Sequence, residues 1–291
     1  MNILVTGSNG QLGSELKKLV AAKTDNSDHF FFTDIEELNI TDETQVKAFF
    51  EQNSIDFCIN AAAYTAVDKA ENEPTIARSI NVEAVRLLAV QCQRHRSFFI
   101  HISTDYVFDG MGYLPYTEEN LFNPQSIYGE TKAAGEMAAI KNTPETIIIR
   151  TSWLYSTFGN NFVKTMLRLA QTKPEIGVVA DQIGTPTYAG DLAQVILHII
   201  AVISENKDKN FVGTYHYSNE GVASWYDFAH AIFEMNNLKV KLKPISTKEY
   251  PTPARRPAYS VLDKSKIKKT FGIEIPHWRE SLKSIFPLID R

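Results

Sequence analysis

Short unbroken apolar runs alternate along this chain with longer stretches in which apolar positions return at helical spacing. The runs cover 2–6, 29–33, 55–63, 98–103, 146–150 and 213–218, and each reads as a strand. Helical patterns lie between them. One follows Gly13 through Leu16, Leu19 and Val20. One covers 44–50, with Thr41 as its N-cap. One covers 81–93, with Val82, Val85, Leu88, Ala89 and Cys92 on one side. Further helices are expected over 160–171, from Asp191 onward, and over 225–235, where Ser224 and Asp227 make a capping-box start. Segment 238–243 alternates apolar residues with lysines and reads as a half-exposed strand. Strands alternating with helices, around a run 55–63 that is apolar on both faces, predict an α/β protein built on a parallel sheet.

Composition narrows the class. The 291 residues are 44% hydrophobic and 22% charged, the balance of an ordinary globular protein with one large domain or two smaller ones. The run from Ala193 to Ile203 is interrupted by Gln194 and His198; it is too short to span a bilayer and is expected to be a buried helix. The chain opens on Asn2-Ile3-Leu4-Val5 without a basic or apolar leader, so a cytoplasmic location is expected. Cys58 and Cys92 lie in apolar contexts and are expected to be buried free thiols, which suits a reducing compartment. The seven histidines show no ligand spacing. A net charge of −4 points neither to nucleic acid nor to an anionic membrane. Residues 1–150 carry 12 Lys/Arg against 21 Asp/Glu, and residues 151–291 carry 18 against 13. Ten basic residues and two acids fall between Lys239 and Lys269, which is either a solvated face or a surface for an anionic ligand such as a diphosphate.

The candidate chemistry sits at predicted strand ends. Gly7, Gly10 and Gly13 are the only glycines before Gly110. They form a turn between the first strand and the first helix, where backbone amides can approach a pyrophosphate. Asp34 ends the second strand, placed to bind the adenosine ribose hydroxyls. Ile35-Glu36-Glu37 follow without an arginine, so a ribose 2′-phosphate would be repelled and NADH is favoured over NADPH. Run 55–63 ends in small residues that let a cofactor lie close to the backbone. Run 98–103 leads into Thr104-Asp105, on the edge where open α/β sheets bind ligands. Among 12 tyrosines, only Tyr128 has a lysine four residues later. On a helix Tyr128 and Lys132 share one face. An ammonium beside a phenol favours the phenolate and brings its proton transfer nearer neutral pH. Thr104 is the third polar group expected to converge there, and loop 109–123 is expected to border the site.

These motifs resemble those of the extended short-chain dehydrogenase/reductases and, within them, of the dTDP-4-dehydrorhamnose reductase family. The resemblance covers essentially the whole chain and rests on Gly7-Ser-Asn-Gly-Gln-Leu-Gly13, on 60–71, on Ser103-Thr-Asp-Tyr-Val-Phe-Asp-Gly110 and on Tyr128-Gly-Glu-Thr-Lys132. It continues through Arg150-Thr-Ser-Trp153, 181–187 and Arg255-Arg256-Pro257. It implies a Rossmann-type doubly wound parallel sheet with a smaller, discontinuous C-terminal substrate domain. The dinucleotide domain would comprise 1–154 plus about 183–218, and the nucleotide-sugar domain about 155–182 plus 219–291. The implied reaction is NADPH- or NADH-dependent reduction of the C4 keto group of dTDP-4-dehydro-L-rhamnose. Tyr128 would protonate the C4 oxygen, Lys132 would hold the nicotinamide ribose and lower the Tyr128 pKa, and Thr104 would polarise the carbonyl. Gly7, Gly10, Gln11, Leu12, Gly13, Asp34, Asn39, Ile40, Ala62, Ala63, Tyr64, Thr65 and Ser103 would line the cofactor together with Tyr128 and Lys132. Thr104, Asp105, Trp153, Arg255 and Arg256 would contact the dTDP-sugar, the arginines at its diphosphate.

The resemblance leaves competitors. A nucleotide-sugar dehydratase needs an acid directly after Thr104-Asp105; Tyr106 stands there, so simple reduction is favoured over water elimination. Reductases and epimerases acting on other nucleotide sugars share these motifs. A non-catalytic regulatory subunit related to the family has no need to keep Thr104, Tyr128 and Lys132 together. Some family members form a Mg²⁺-bridged dimer through acidic residues. Glu15 is present, but the region near Gly190-Asp191 fits only in part, so no metal is predicted and monomer and homodimer both stay open.

Overall fold

In a computed structural model that describes residues 1–23 and 28–288, six parallel strands form the central sheet. They are β1 (Asn2–Thr6), β2 (His29–Thr33), β3 (Phe57–Asn60), β4 (Phe98–Thr104), β5 (Thr146–Thr151) and β6 (Gly213–His216). Their order across the sheet is β6-β5-β4-β3-β1-β2. β1 pairs in parallel with both β2 and β3, so the winding direction reverses there. That reversal opens a crevice at the C-terminal strand ends, the usual ligand position in such folds.

The longer helices are α1 (Gln11–Ala21), α2 (Glu43–Gln52), α3 (Ala84–His95), α4 (Ile127–Asn142), α5 (Phe162–Ala170), α6 (Ala189–Glu205) and α7 (Trp225–Met235). Successive strand residues point to opposite faces, and here both faces are apolar. Ile3, Val5, Ile59, Ile100 and Ile149 pack with Leu12 and Leu16 of α1 and Leu192, Ile196 and Ile199 of α6. Leu4, Cys58, Phe99 and Ile148 pack with Val46 and Phe50 of α2 and Val85, Leu88 and Cys92 of α3. Both cysteines are buried and free. The 193–203 run lies inside α6, and among the described residues no helix is long and apolar enough to cross a membrane.

Several element boundaries differ from expectation, three of them beside the site. Run 55–63 pairs only over Phe57–Asn60, and 61–65 leave the ladder at the sheet edge. Asp42, not Thr41, caps α2: its carboxylate accepts from the Thr44 and Gln45 amides and adds charge at the positive helix end. The helix expected over 81–93 begins as a π-turn at Ser79–Glu83 before α3 continues to His95.

A second core gathers Val163, Met166, Ile176, Val178, Phe228, Ile232, Trp278 and Leu282. The half-exposed strand expected over 238–243 lies at Lys241–Ile245 and pairs in parallel with Glu175–Val179. The Ser224/Asp227 capping box is present: Ser224 Oγ accepts from Asp227 N at 3.0 Å, and the Asp227 carboxylate accepts from Ser224 N at 2.9 Å. Ile267 and Phe271, far along the chain, pack into the sheet core. Glu15 in α1 is buried and accepts from Ser156 Oγ at 2.6 Å, tying the first helix to the segment after β5.

Candidate active site

The glycine turn abuts the end of β3. Gly7 has φ +67, and a Cβ there would come within 2.6 Å of the Ala62 backbone, so only glycine lets the two strand ends meet. A Cβ on Gly13 would lie 2.5 Å from Gly7 O, which is how α1 starts so close to the turn. Gly10 occupies the N-cap without a side-chain cap, leaving the first α1 amides free toward the crevice. Leu12 was expected to line the cofactor, but its side chain is 4% exposed inside the sheet core and only its backbone can contribute. Gln11 reaches the other way as well, accepting from Asn161 Nδ2 at 3.0 Å.

Beside the turn lies a cavity of about 570 Å³ whose walls include Gly7, Asp34, Asn39, Ile40 and Ala62. Asp34 Oδ2 accepts from Asn9 N at 3.0 Å and Oδ1 from Ile35 N at 2.9 Å, which aims a carboxylate along the rim. Ile35, Thr75, Ile76 and Ser79 also line the cavity and carry no expectation from the sequence. Ile35 and Ile76 are exposed apolar side chains, a surface suited to a flat aromatic base. Their only sequence signal is an isolated isoleucine, Ile35 between Asp34 and Glu36 and Ile76 between Thr75 and Ala77. The turn, the carboxylate and the cavity fit a dinucleotide. Tyr64 sits on the exit of β3 with its backbone clamped by Asn81: Tyr64 N donates to Asn81 Oδ1 at 2.9 Å, and Asn81 Nδ2 donates to Tyr64 O at 3.1 Å. Ala63 is half-buried and Thr65 exposed on the same segment.

Helix α4 presents Tyr128, Lys132 and Glu136 at successive four-residue steps toward the ends of β4 and β5. Thr104 Oγ1 donates to Asp105 Oδ1 at 2.9 Å, and the Thr104 hydroxyl lies near the Tyr128 phenol. The Tyr106 ring stands edge-on to Tyr128 with centroids 5.5 Å apart. Lys132 is 2% exposed and donates to Ile102 O at 2.7 Å. The expected depression of the Tyr128 pKa by Lys132 is absent. Removal of the hydroxyl from water pushes the phenol up to about 12; the neighbouring Thr104 hydroxyl opposes this and the nearby Asp105 charge reinforces it. Burial lowers Lys132 to about 8, against the pull of Glu136. Its ammonium meets Ile102 O and His101 rather than the phenol. A phenol this high keeps its proton at neutral pH and is set up to donate it. Asp105 is raised to about 6 by burial, with the Ser260 and Thr104 hydroxyls nearby opposing; Thr104 bonds its Oδ1, and its Oδ2 has no partner among the described residues.

Behind these groups lies a buried polar layer that sequence reading did not find. Ser103 was expected at the cofactor; its hydroxyl instead donates to Glu136. Glu136 also receives Arg150, Nη2 to Oε2 at 2.8 Å, with both side chains buried. Arg150 Nη1 lies 3.3 Å from His216 Nε2, and its guanidinium covers the rings of Phe108 and Phe122. On the neighbouring strands Thr6, Asn60 and His101 stand side by side in register. The signal was available: Glu136 continues the Tyr128/Lys132 spacing, and polar residues end the inner face of each central strand.

The C-terminal part contributes the far wall. Trp153 has φ +45, an uncommon backbone conformation for a bulky residue, and stacks on Trp225 with centroids 3.6 Å apart at 5°. Trp225 was not foreseen. Arg256 forks onto Asp68, and Arg255 donates to Gln125 Oε1 at 3.1 Å from an exposed position. The basic run does not converge as one surface: Lys264 and Lys268 pair with Glu220, and Lys241 with Glu175.

Comparison with known proteins places the same features in a group. The family profile described as "RmlD substrate binding domain" matches residues 1–289. A dTDP-4-dehydrorhamnose reductase of Aggregatibacter actinomycetemcomitans is 44% identical, covering 97% of each chain. The crystal structure of a dTDP-4-dehydrorhamnose reductase from Clostridium acetobutylicum superposes with a TM-score of 0.92 at 43% identity, covering 99% of both chains. A Bacillus anthracis dTDP-4-dehydrorhamnose reductase in complex with NADP also superposes at 0.92, with 39% identity and 99% coverage of both chains.

Proposed function

We propose, since this chain belongs to the RmlD substrate binding domain family, that it reduces the C4 keto group of dTDP-4-dehydro-L-rhamnose to give dTDP-L-rhamnose. It is an NAD(P)H-dependent oxidoreductase of polysaccharide-precursor synthesis, with a dTDP-sugar as substrate. The observation that carries the mechanism is the convergence of Thr104 from the end of β4 with Tyr128 and Lys132 from α4 at the sheet edge.

The bound dinucleotide supplies the reducing equivalent to C4. Everything else falls to the chain's own side chains. Tyr128, protonated at neutral pH, gives its phenolic hydrogen to the C4 oxygen as negative charge gathers there. Thr104 donates a hydrogen bond to the same oxygen and polarises the carbonyl. Lys132 holds the nicotinamide ribose, and the α1 amides and Gly7 receive the pyrophosphate. Asp34 takes the adenosine ribose hydroxyls, and on charge grounds we assign a preference for NADH over NADPH. Asp105 uses its unpartnered Oδ2 to hold a sugar hydroxyl, and Trp153 packs on the sugar. Arg255, with no acid partner among the described residues, and Arg256 at the rim face the diphosphate. The division into a dinucleotide part and a nucleotide-sugar part, and a cytoplasmic site of action, belong to the same proposal.

The test is to supply the 4-keto-L-sugar nucleotide and follow loss of NADH and NADPH separately. Turnover by the wild type that Tyr128→Phe abolishes is expected. Folded protein that consumes neither cofactor would sink the reading.

A further inference from the structure

Four buried polar residues run from the middle of the sheet to helix α4. Thr6 Oγ1 and Asn60 Oδ1 are 2.7 Å apart, Asn60 Nδ2 and His101 Nδ1 are 3.1 Å apart, and His101 Nε2 and Lys132 Nζ are 3.4 Å apart. Thr6, Asn60, His101 and Lys132 are at most 2% exposed, and none has solvent as an alternative partner. Register places them: Thr6 pairs with Asn60 across β1 and β3, and Asn60 with His101 across β3 and β4. Apolar residues fill the same face one step back, at Leu4, Cys58 and Phe99. A buried polar row in that setting is retained only if every member is satisfied.

Hydrogen counting gives this row two self-consistent arrangements. A charged Lys132 has only donors, so His101 Nε2 must accept and Nδ1 must carry the hydrogen. Nδ1 then donates to the Asn60 oxygen, and the Asn60 amide nitrogen donates to Thr6 Oγ1. A neutral Lys132 offers a lone pair, so Nε2 carries the hydrogen, Nδ1 accepts from Asn60 Nδ2, and Asn60 Oδ1 accepts from Thr6. One arrangement becomes the other by a turn of the Asn60 amide, which exchanges its oxygen and nitrogen, and a change of imidazole tautomer, with every other heavy atom staying in place. The threonine hydroxyl, both donor and acceptor, closes either one.

We propose that His101 is a positioning residue for Lys132, its neutral imidazole accepting from the ammonium while Thr6 and Asn60 match their hydrogen-bond sense to the charge on the lysine. The inference rests on the reductase reading for the role of Lys132. The imidazole stays neutral because burial and the adjacent Lys132 both hold its pKa well below the usual range. The titratable groups facing Lys132 are otherwise few. Tyr128 and Glu136 come from its own helix, and Arg150 and His216 from β5 and β6 stand behind Glu136. Asp105 lies beyond Thr104, and segment 61–65 offers only the Tyr64 phenol. Ile102 O holds the Lys132 nitrogen in place in either charge state, so His101 is the partner whose role changes.

Two measurements test this. In wild-type protein labelled with nitrogen-15 histidine, His101 is expected to carry its hydrogen on Nδ1 at pH 6.5 and on Nε2 at pH 9.5, crossing near the Lys132 midpoint at about 8. His101→Gln assigns the signal by its loss. One tautomer throughout that range overturns the proposal, and this readout needs no turnover. The second is the pH profile of kcat/KM. His101→Leu removes the acceptor, so the ammonium loses its proton earlier and the basic limb moves down by about one pH unit, the size of one hydrogen bond to a charged group. His101→Gln can both accept and donate and keeps the limb near the wild-type position. Active wild type whose basic limb does not move in a folded His101→Leu variant overturns the proposal. Inactive wild type overturns the reductase reading instead, and the tautomer measurement still decides the role of His101.

Discussion

Arg256 lays its guanidinium flat against the Asp68 carboxylate, Nη1 to Oδ1 at 2.9 Å and Nη2 to Oδ2 at 2.8 Å. The pair joins the loop at 251–257 to the segment leaving β3, so it fixes one side of the crevice to the other. The Arg256 hydrogen bond is also the main reason the Asp68 carboxyl lies below its usual range. Arg256→Lys keeps the charge but loses the fork. The expected outcome is a several-fold rise in KM for the dTDP-sugar, larger than any fall in kcat. Because both side chains still meet solvent, the stability change should stay below about 1 kcal/mol. Steady-state kinetics beside a thermal melt checks both halves.

Tyr128→Phe removes the proton donor and leaves the ring packed edge-on against Tyr106. A loss of kcat of about 10²–10⁴-fold is expected, the range for general acid catalysis, with little change in melting temperature. Stopped-flow reduction of the keto sugar distinguishes this from a binding defect.

Asp34 holds a carboxylate at the rim of the cavity beside Gly7. Asp34→Ala should raise the ratio of kcat/KM for NADPH over NADH by about tenfold, the size of one close charge repulsion near a protein surface. An unchanged ratio would contradict the assigned cofactor preference.

Glu136→Gln leaves Arg150 buried without a counter-charge, since His216 beside it is neutral. Breaking a buried pair from one side costs about 3–5 kcal/mol. Chemical denaturation should show that loss, and Ser103→Ala, which removes only a hydroxyl donor to the same carboxylate, should show much less.

Acid should unfold this protein partly through its buried imidazoles. Burial, with the Arg150 charge adding, lowers His216 to about 3. His101 is also lowered, by burial and Lys132. Both are neutral when folded, so below their ordinary pKa the unfolded chain binds the extra protons. The stability they support is fully present above about 6.5 and is lost as pH falls from there toward 3. Melts between pH 7 and 4 should show the decline, and His216→Gln should flatten part of it.

Much of the fold was legible because its signals are local. Strands 2–6 and 29–33 and the helix at 225–235 emerge at their expected bounds, since runs, caps and turn residues act within a few positions. Boundaries failed at a local choice between adjacent cap residues and where a tertiary contact decided. The Asp42 carboxylate outbid the Thr41 hydroxyl for the first amides of α2, and β3 stops at Asn60 because 61–65 turn toward the glycine loop.

The site divides along the same line. By itself the sequence determined the backbone-level parts: a glycine turn after the first strand, an acid ending the second, and Tyr128 above Lys132 on one helix face. Each depends only on periodicity or on what a glycine permits. Only the tertiary structure decided what surrounds those groups. It put Leu12 in the core, turned Ser103 to Glu136, gave Arg256 to Asp68 and set Trp225 under Trp153. It also reversed the expected sense of the phenol's pKa. Spacing shows that a lysine is near, but desolvation depends on every element packed around the hydroxyl, and those elements come from distant stretches of the chain.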